Sequence, residues 1–501
     1  MKVAFRTDAS ARMGTGHIMR CLVLADMLAS GGAEIHFLCR QLPQALASLV
    51  SARGYRISTL PLGWPGGEDA PQSAWNGEDQ RRDAQACREL LAEGGWNWVV
   101  ADHYGLDSEW ESAIRMAGTR LLAIDDLGRR HECDLLLDQN LHGDAASRYR
   151  SKLPASARLL LGPRFALLRP EFASAREQAA VRTGPVDRLL VFMGGADAQD
   201  ATSLVLEALS RSGVLPIAID VVVGQGHPAP ARIRQWAASH PGTRCHVQTS
   251  DMAQLLAASD LAVGAGGTAT WERCCLGVPA IVLALAENQR QLVHGAARAG
   301  VLYAPDTGLT DSVLLASHIR AVMDNSALRE SMSAQALRLV DGQGARRVVA
   351  AMKGGDIFVR PATEADCDRV HGWRNAPGVR RVSRDPSEIS LDRHRQWFKQ
   401  VLASAQTVLL IGETSEGPVG VVRFDIHAAQ AEVSIYLTPA MLGSGLGPAL
   451  LLAAEQWLVG HRPDIDTIEA DALADNEKSM RLFADGGYRF LSHRFTKRIH
   501  A

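Results

Sequence analysis

The sequence predicts an α/β protein made of two similar halves, followed by a separate α+β domain. Up to about residue 340, short continuous apolar runs alternate with helical patterns. That alternation is the mark of parallel strands covered on both faces by helices. The unit occurs twice: the first ends near residue 150, around His142-Gly-Asp-Ala-Ala-Ser-Arg148, and the second opens at Val186-Asp-Arg-Leu-Leu-Val-Phe-Met-Gly-Gly195. A change of style comes at Asp341-Gly-Gln-Gly-Ala345 and Lys353-Gly-Gly-Asp356, after which a strand, two helices and several strands follow. The expected domains are 1–150, 151–345 and 357–501, with the polar, helix-prone stretch 170–187 as the bridge between the halves.

The strands expected in the two halves are Val3–Phe5, Trp98–Ala101, Leu121–Ile124, Leu135–Leu137, Leu189–Phe192, Ile219–Val223, Leu261–Val263 and Ala280–Leu283. In the last domain, Thr363-Glu-Ala-Asp366 reads as a capping box that opens a helix. Ala431-Glu-Val-Ser-Ile-Tyr-Leu-Thr438 alternates as a half-exposed strand does. A chain of 501 residues exceeds one ordinary core. A formal net charge of -2 provides no basic field for nucleic acid or anionic lipid. No apolar run has the length of a membrane span, and Arg6 and Asp8 interrupt any signal-peptide core. The expected location is the cytoplasm. Its 8 cysteines are scattered without a CxxC pair, so reduced, buried thiols are expected.

Arg12-Met-Gly-Thr-Gly-His-Ile-Met-Arg-Cys21 follows the first strand directly. It lacks the third glycine of a dinucleotide fingerprint, since position 19 is Met. The strand, glycine turn and helix still direct free backbone N–H groups and a positive dipole end at a guest, for which a diphosphate is the natural choice. Gly14 and Gly16 form the turn. His17 stands at the helix mouth, where the dipole disfavours imidazolium. It is either a general base, or merely a helix cap or a hydrogen-bond donor to substrate. In the second half, Gly264-Ala-Gly-Gly-Thr-Ala-Thr-Trp-Glu-Arg-Cys-Cys-Leu-Gly-Val-Pro279 repeats the theme. Small residues allow backbone to approach phosphate, and Glu272 is placed to accept the hydroxyls of a ribose.

This Gly-Gly-Thr-x-x-x-Glu pattern, with Gly-Val-Pro after it, resembles the uridine-nucleotide site of GT-B glycosyltransferases of the MurG type. Arg6, Asp8, Ser10, Gly14, Gly16, His17, Arg20 and Cys21 narrow the resemblance to the UDP-sugar hydrolases of pseudaminic acid biosynthesis, the PseG type. Asp102-His-Tyr104, Ile124-Asp-Asp-Leu127, Leu168-Arg-Pro-Glu-Phe172, Gly194-Gly-Ala-Asp197 and Glu287-Asn-Gln289 add to it, over about residues 1–340. The resemblance implies a GT-B arrangement and the release of UDP from UDP-2,4-diacetamido-2,4,6-trideoxy-β-L-altropyranose. Water would attack the anomeric carbon with inversion, with His17 as its base. The turns at Gly14–Gly16, Gly194–Gly195 and Gly266–Gly267, with Thr268, would receive the diphosphate. Glu272 would hold the ribose, and Asn288 and Gln289 would face sugar or diphosphate. Asp8, Arg12, Asp102 and Tyr104, at strand ends, are candidates for the sugar pocket. The released sugar would go on to a nonulosonic acid for surface glycans. A hydrolase of a related diamino UDP-sugar, a GT-B glycosyltransferase and a non-catalytic nucleotide-sugar binder are the alternatives. Asp125-Asp126 resembles a metal-binding pair, but satisfaction of nearby backbone or of Arg129 is the preferred reading, and no metal is expected.

In the last domain, Tyr436-Leu-Thr-Pro-Ala-Met-Leu-Gly-Ser-Gly-Leu-Gly447 places a glycine turn between strand and helix, and Asn476-x-x-Ser-x-x-Leu-Phe-x-x-x-Gly-Tyr488 follows. Together these are similar to the GNAT acetyltransferases over about residues 357–495. The resemblance implies acetyl-CoA as co-substrate, with its pyrophosphate on Leu442, Gly443, Gly445 and Gly447 and a splayed strand pair around the pantetheine. Asn476 would contact the cofactor or an internal water. Trp373-Arg-Asn375, Arg380, His394 and Trp397-Phe398 resemble acetyltransferases of aminosugar nucleotides, the PseH type, which acetylate the 4-amino group one step before the hydrolase acts. Glu432 is the candidate base. The usual acid, a tyrosine, is replaced by Phe483. Tyr488 could substitute for it, although a core tyrosine is the simpler reading.

Overall fold

The computed structural model describes all residues except 11–12, 62–74, 93, 144, 150, 155, 196, 215–216, 306–310, 354–356, 415–416, 474–475 and 491–501, and leaves the side chains of 146, 288 and 485 undescribed. The chain divides into two compact units, Met1–Val349 and Ala350–Ala501.

The first unit holds two parallel sheets. The first sheet comprises β1 (Lys2–Thr7), β2 (Glu34–Cys39), β3 (Arg56–Thr59), β4 (Trp98–Asp102), β5 (Arg120–Ile124), β6 (Leu135–Asp138) and β7 (Arg158–Leu161), in the order β3-β2-β1-β4-β5-β6-β7. The second comprises β8 (Arg188–Phe192), β9 (Ala218–Val223), β10 (Thr243–Val247), β11 (Leu261–Ala265) and β12 (Ala280–Leu283), in the order β10-β9-β8-β11-β12. Every residue of β4 and β11 is buried, as expected of central strands covered on both faces. Each sheet reverses its strand order once, between β1 and β4 and between β8 and β11. In open parallel sheets, the crevice beyond the strand ends at such a reversal is the natural ligand site. Thr7 is in register with Asp102, so β1 and β4 end level with each other at that crevice.

The helix Gly16–Ser30 forms because Ile18, Cys21, Leu22, Ala25 and Leu28 recur at helical spacing and are all buried. It stops at Gly31-Gly32, where Gly32 takes a φ of 80°. Two boundaries differ from expectation. The edge strand β7 pairs with β6, so the first half runs past residue 150 to about 161. Beyond it, Ala166, Leu168 and Phe172 join the core that also holds Leu190 and Trp271 of the second half. The helix Gly344–Met352 runs through the expected boundary at 345, and the second unit begins within it. The strands β2, β3, β7 and β10 are also additions to the expected set. β3, β7 and β10 are edge strands and β2 lies next to the edge, and several carry polar residues that break the apolar run.

The second unit is a mixed sheet of β13 (Phe358–Pro361), β14 (Thr407–Thr414), β15 (Gly417–His427), β16 (Gln430–Leu437) and β17 (Thr467–Ala470) in that order. All neighbours are antiparallel except β16 and β17. One face packs Val422, Phe424 and Val433 on Leu450, Leu451 and Ala454 of the helix Gly447–His461. The other packs Leu409, Ile411 and Val421 against Val370 and Phe398 of the helices Cys367–Asn375 and Leu391–Ala403. The capping box at Thr363 and Asp366 is present, and it opens a 3-10 turn that leads into the first of these helices.

The end of β9 passes so close to the turn after β8 that a Cβ on Gly224 would collide with the Gly195 carbonyl. Gly224→Ala is therefore expected to destabilise the first unit by about 1–3 kcal/mol, the usual cost of overpacking. Calorimetry should show a lower unfolding temperature for that unit and an unchanged transition for the second.

Candidate active site

His17 begins the helix Gly16–Ser30 at the β1/β4 crevice and is 5% exposed. Its Nδ1 lies 2.6 Å from Asp102 Oδ1 at the end of β4. Arg20, one turn along the same helix, grips that carboxylate with two hydrogen bonds, Nε to Oδ2 and Nη2 to Oδ1, both 2.6 Å. The Cys21 thiol adds a weaker contact to Oδ2 at 3.6 Å. Asp102 is fully buried. Burial opposes its ionised form, but Arg20 and His17 outweigh burial and hold the carboxyl well below the ordinary carboxylate range. An ionised carboxylate only accepts hydrogen bonds, so the proton of the neutral ring sits on Nδ1. Nε2 then carries the lone pair and has no hydrogen-bond partner among the described residues.

Tyr104 stands edge-on to the His17 ring, with centroids 4.5 Å apart and planes at 87°. Its hydroxyl donates to Asp126 Oδ2 at 3.2 Å. Asp126 is also 3.7 Å from Arg20 Nη1. Burial raises its carboxyl above the usual value; Arg20 and His17 partly offset this, and Asp125 and Asp138 add to it. Asp125 is structural: it accepts from Gly128 N at 2.7 Å, Arg129 N at 3.0 Å and Arg129 Nε at 2.8 Å.

Several residues expected to contact substrate have other work. Asp102 offers neither oxygen to a sugar, because both are taken by His17 and Arg20. Asp8 is likewise buried, holding Arg6 Nη1 at 2.9 Å, His103 Nε2 at 3.2 Å and the Arg40 and Gln41 amides at 2.6 and 3.1 Å. The Gly14 amide closes a turn onto Ser10 O at 2.8 Å, which leaves the first helical amides, from Gly16 onward, as the open donors. Arg12 and the Asn288 side chain lie outside the described residues.

The second half meets this site through its own turns. Gly194 takes a φ of 97°, and a Cβ on Gly195 would stand 3.2 Å from Thr15 Oγ1, so the turn after β8 faces the mouth of the first helix. Gly267, with a φ of 123° and open space at its Cβ position, precedes Thr268 at the start of the helix Thr268–Cys275. Gly266 has a different reason to be glycine. Its amide donates to Leu283 O at 3.1 Å, and a Cβ would press on Val293 at 2.7 Å. Gln289 packs there too and turns its Oε1 to the Leu285 amide at 2.9 Å rather than toward a ligand. Glu272 is partly buried, with its side chain 15% exposed, and accepts no hydrogen bond from the described residues; Arg169 is 3.8 Å away. Burial raises its carboxyl, with Arg169 and Arg273 as partial offsets. Next to it, Trp271 Nε1 reaches Asn140 Oδ1 of the first half at 3.3 Å.

Asp197, Asp200 and His227 come within metal-ligand reach of one another. Their lone pairs are largely committed. His227 Nδ1 accepts from Ala229 N at 3.1 Å and Nε2 faces Asp197 at 3.1 Å. Asp197 also takes the Ala201 and Thr202 amides and the Thr202 hydroxyl. The cluster caps the helix Ala201–Ser212.

In the second unit, β16 pairs with β17 only from Gln430 to Val433, so its remaining residues up to Leu437 have no strand partner on that side among the described residues. This is the expected splay. Gly443 and Gly445 follow at φ values of 83° and 79°, with open space at their Cβ positions, before the helix that Gly447 begins. Leu442 is 45% exposed beside them. Glu432 lies in register with Asp425 and Glu469 across three strands. It is paired with Arg384, which also binds Asp471 at 2.8 Å. Asn476 is the N-cap of the helix Glu477–Asp485, accepting from Ser479 N at 3.1 Å, so its oxygen serves the backbone. Tyr488 is a packed tyrosine whose hydroxyl donates to Glu455 at 2.6 Å; burial and that carboxylate push it up, away from service as an acid. Phe483 is buried in the same core. His394 and Trp397 belong to an aromatic cluster with Phe398.

Sequence reasoning missed the work of Arg20. Its signal is the spacing His17, Arg20, Cys21, which places three polar groups on one helix face toward the sheet.

Residues 356–489 match the family model for the acetyltransferase (GNAT) domain. The chain resembles the UDP-2,4-diacetamido-2,4,6-trideoxy-beta-L-altropyranose hydrolase of Campylobacter jejuni, 26% identical over 257 residues, 51% of this chain and 81% of that one. The spore coat polysaccharide biosynthesis protein SpsG of Bacillus subtilis is 30% identical over 42% of this chain and 62% of its own. In fold, the chain is similar to Acinetobacter baumannii MurG, with a TM-score of 0.51 and 16% identity over 70% of this chain and 99% of that one. The architecture is thus two Rossmann-like halves as in GT-B proteins, followed by a GNAT domain. No helix among the described residues is long and apolar enough to cross a membrane.

The turn that carries Asp125 and Asp126 is also held by His131, 2.7 Å from Glu111 and 3.4 Å from Asp125. Burial disfavours its imidazolium, but Asp125 and Glu111 outweigh burial and hold it at about 9. A folded value above the unfolded one, about 6.5, gives stability that is fully present below that pH and lost as pH rises through about 9. His131→Gln should therefore lower the melting temperature more at about pH 6 than at about pH 9.5.

Proposed function

We propose that the first unit hydrolyses a UDP-sugar to UDP and free sugar, with UDP-2,4-diacetamido-2,4,6-trideoxy-β-L-altropyranose as substrate. The observation that carries this is His17: a ring fixed by a buried carboxylate through Nδ1, with Nε2 unpartnered among the described residues at the mouth of a helix. Such a ring can take a proton from water. The water oxygen then bonds to the anomeric carbon, the carbon–oxygen bond to the diphosphate breaks, and UDP leaves as an anion with inversion at that carbon. The amides at the start of the helix Gly16–Ser30 and the turns at Gly194–Gly195 and Gly267–Thr268 stabilise the departing charge. Glu272, a partly buried carboxyl that accepts no hydrogen bond among the described residues, accepts the ribose hydroxyls. The likeness to the Campylobacter hydrolase supports the choice of sugar.

The second unit, in this reading, transfers acetyl from acetyl-CoA to the 4-amino group of the corresponding UDP-4-amino sugar, so one chain performs consecutive steps. The glycine turn at 443–447 and the splay of β16 from β17 support acetyl-CoA binding. Glu432 would receive the ammonium proton once the incoming amine takes the place of Arg384.

His17→Ala should keep UDP affinity and lose hydrolysis by at least about a hundredfold, the scale of general-base loss. Turnover near that of the unaltered protein would remove the assignment. UDP release only on addition of an acceptor alcohol would replace hydrolysis by glycosyl transfer. For the second unit, mass spectrometry of the UDP-4-amino sugar with acetyl-CoA should show addition of one acetyl group, and Glu432→Gln should slow it by about tenfold or more. Failure to acetylate would assign the domain to another amine.

A further inference from the structure

His17 is the group whose protonation decides whether water can be activated, and among the described residues four charged or titratable side chains face it. Asp102 comes from β4, Tyr104 from the turn after it, Asp126 from the turn after β5 and Arg20 from the same helix. Two of the four are carboxylic acids. A carboxylate beside imidazole favours imidazolium, which has no lone pair for water. A histidine held only by Asp102 and Asp126 would be a poor base at neutral pH. Arg20 stands between these two acids. It takes both oxygens of Asp102 at 2.6 Å, its Nη1 lies 3.7 Å from Asp126, and its Nη2 lies 3.2 Å from His17 Nδ1. The guanidinium is 6% exposed, so water screens little of this charge.

We propose that Arg20 is a positioning residue that sets the acid–base poise of His17: it neutralises Asp102, so that this carboxylate orients the imidazole without converting it to imidazolium. The division of labour follows from atoms. Asp102 Oδ1 is shared between His17 Nδ1 and Arg20 Nη2, and Oδ2 belongs to Arg20 with the weaker Cys21 contact. The carboxylate therefore has one direction left in which to hold the ring, and its charge is already met. Lysine at position 20 would supply charge but not the two-pronged grip. The role assumes the hydrolytic reading of His17, but the arrangement of charges can be tested apart from it.

The experiment is the titration of the His17 ring, followed by NMR in full-length protein carrying isotope-labelled histidine, with His17→Ala used to assign the signal. Arg20→Met should move the midpoint up by about one pH unit or more, the effect of uncovering a nearby carboxylate. Asp102→Asn should move it down. Arg20→Lys should return it most of the way toward the unaltered protein. The acid limb of kcat/KM for UDP release should shift with the same signs, while kcat in Arg20→Lys stays reduced because the grip is lost. UDP affinity and the melting curve of each variant report whether it has folded. Should Arg20→Met not fold, Arg20→Gln, which keeps hydrogen-bonding groups but no charge, takes its place and should also move the midpoint up; an unmoved midpoint there would overturn the proposal. An unmoved midpoint in folded Arg20→Met, or movement of Arg20→Met and Asp102→Asn in the same direction, would overturn the proposal. Absence of UDP release by the unaltered protein would remove the hydrolytic reading and leave the titration result standing.

Discussion

Asp102 closes β4 with no exposure to solvent, and three side chains of one helix converge on its two oxygens. Placing a carboxylate there is costly, since desolvation of a single ion takes several kcal/mol even after relaxation. Arg20 makes it tolerable by giving a full opposite charge and two short hydrogen bonds. That requirement fixes much else. The helix must approach the sheet at a set depth for His17, Arg20 and Cys21 to reach one residue. β1 and β4 must end level, as the pairing of Thr7 with Asp102 provides. The neighbouring acids then need partners of their own. Asp8 takes Arg6 and His103, and Asp83 takes Arg6, Arg40 and Trp110 Nε1.

The glycines around the cleft serve two purposes that look alike in one dimension. Gly14, Gly194 and Gly267 adopt backbone angles that side chains rarely accept, and nothing occupies their Cβ positions. They shape turns around open space. Gly224, Gly266 and Gly295 have ordinary angles, but a side chain would strike a neighbour: the Gly195 carbonyl, Val293 and the Leu141 carbonyl in turn. They let segments touch. Gly295 and Trp271 both bear on the first half, at Leu141 and Asn140, so the two sheets share a packed seam beside the cleft. Arg148 adds a tie there, from the Asp126 carbonyl to Gln291.

The second unit turns the same physics to a different end. A parallel pair that stays hydrogen-bonded for four residues and then parts leaves strand groups open beside a glycine turn. Bare backbone donors and acceptors of that kind are strong hydrogen-bonding groups, and an extended ligand with amides of its own can pair with them. On the sheet, Asp425, Glu432 and Glu469 stand abreast on three strands. Like charges so placed repel, and Arg384, reaching Glu432 and Asp471, relieves part of it. An exposed pair of this type is weak, so a cationic amine can compete for the same carboxylates.

Local chemistry made much of this protein legible from its sequence alone. Buried parallel strands need continuous apolar residues, so the two α/β halves and the change to an α+β domain could be read directly. A glycine turn between strand and helix leaves a recognisable spelling, so the positions of His17, Gly267 and the 443–447 turn were legible too. The edge strands β3, β7 and β10 were not, because edge positions accept polar residues, and neither was β2, an interior strand whose apolar run is broken by His36; the first half consequently extends past residue 150. The jobs of Asp8, Asp102, Gly266, Gln289 and Asn476 were decided only by tertiary structure. Each is a polar or small residue at a strand end or helix start, where binding a ligand and satisfying a buried neighbour call for the same residue type. Which of the two holds depends on what the fold brings within 3 Å, and for Asp102 that partner, Arg20, lies 82 positions away in the chain.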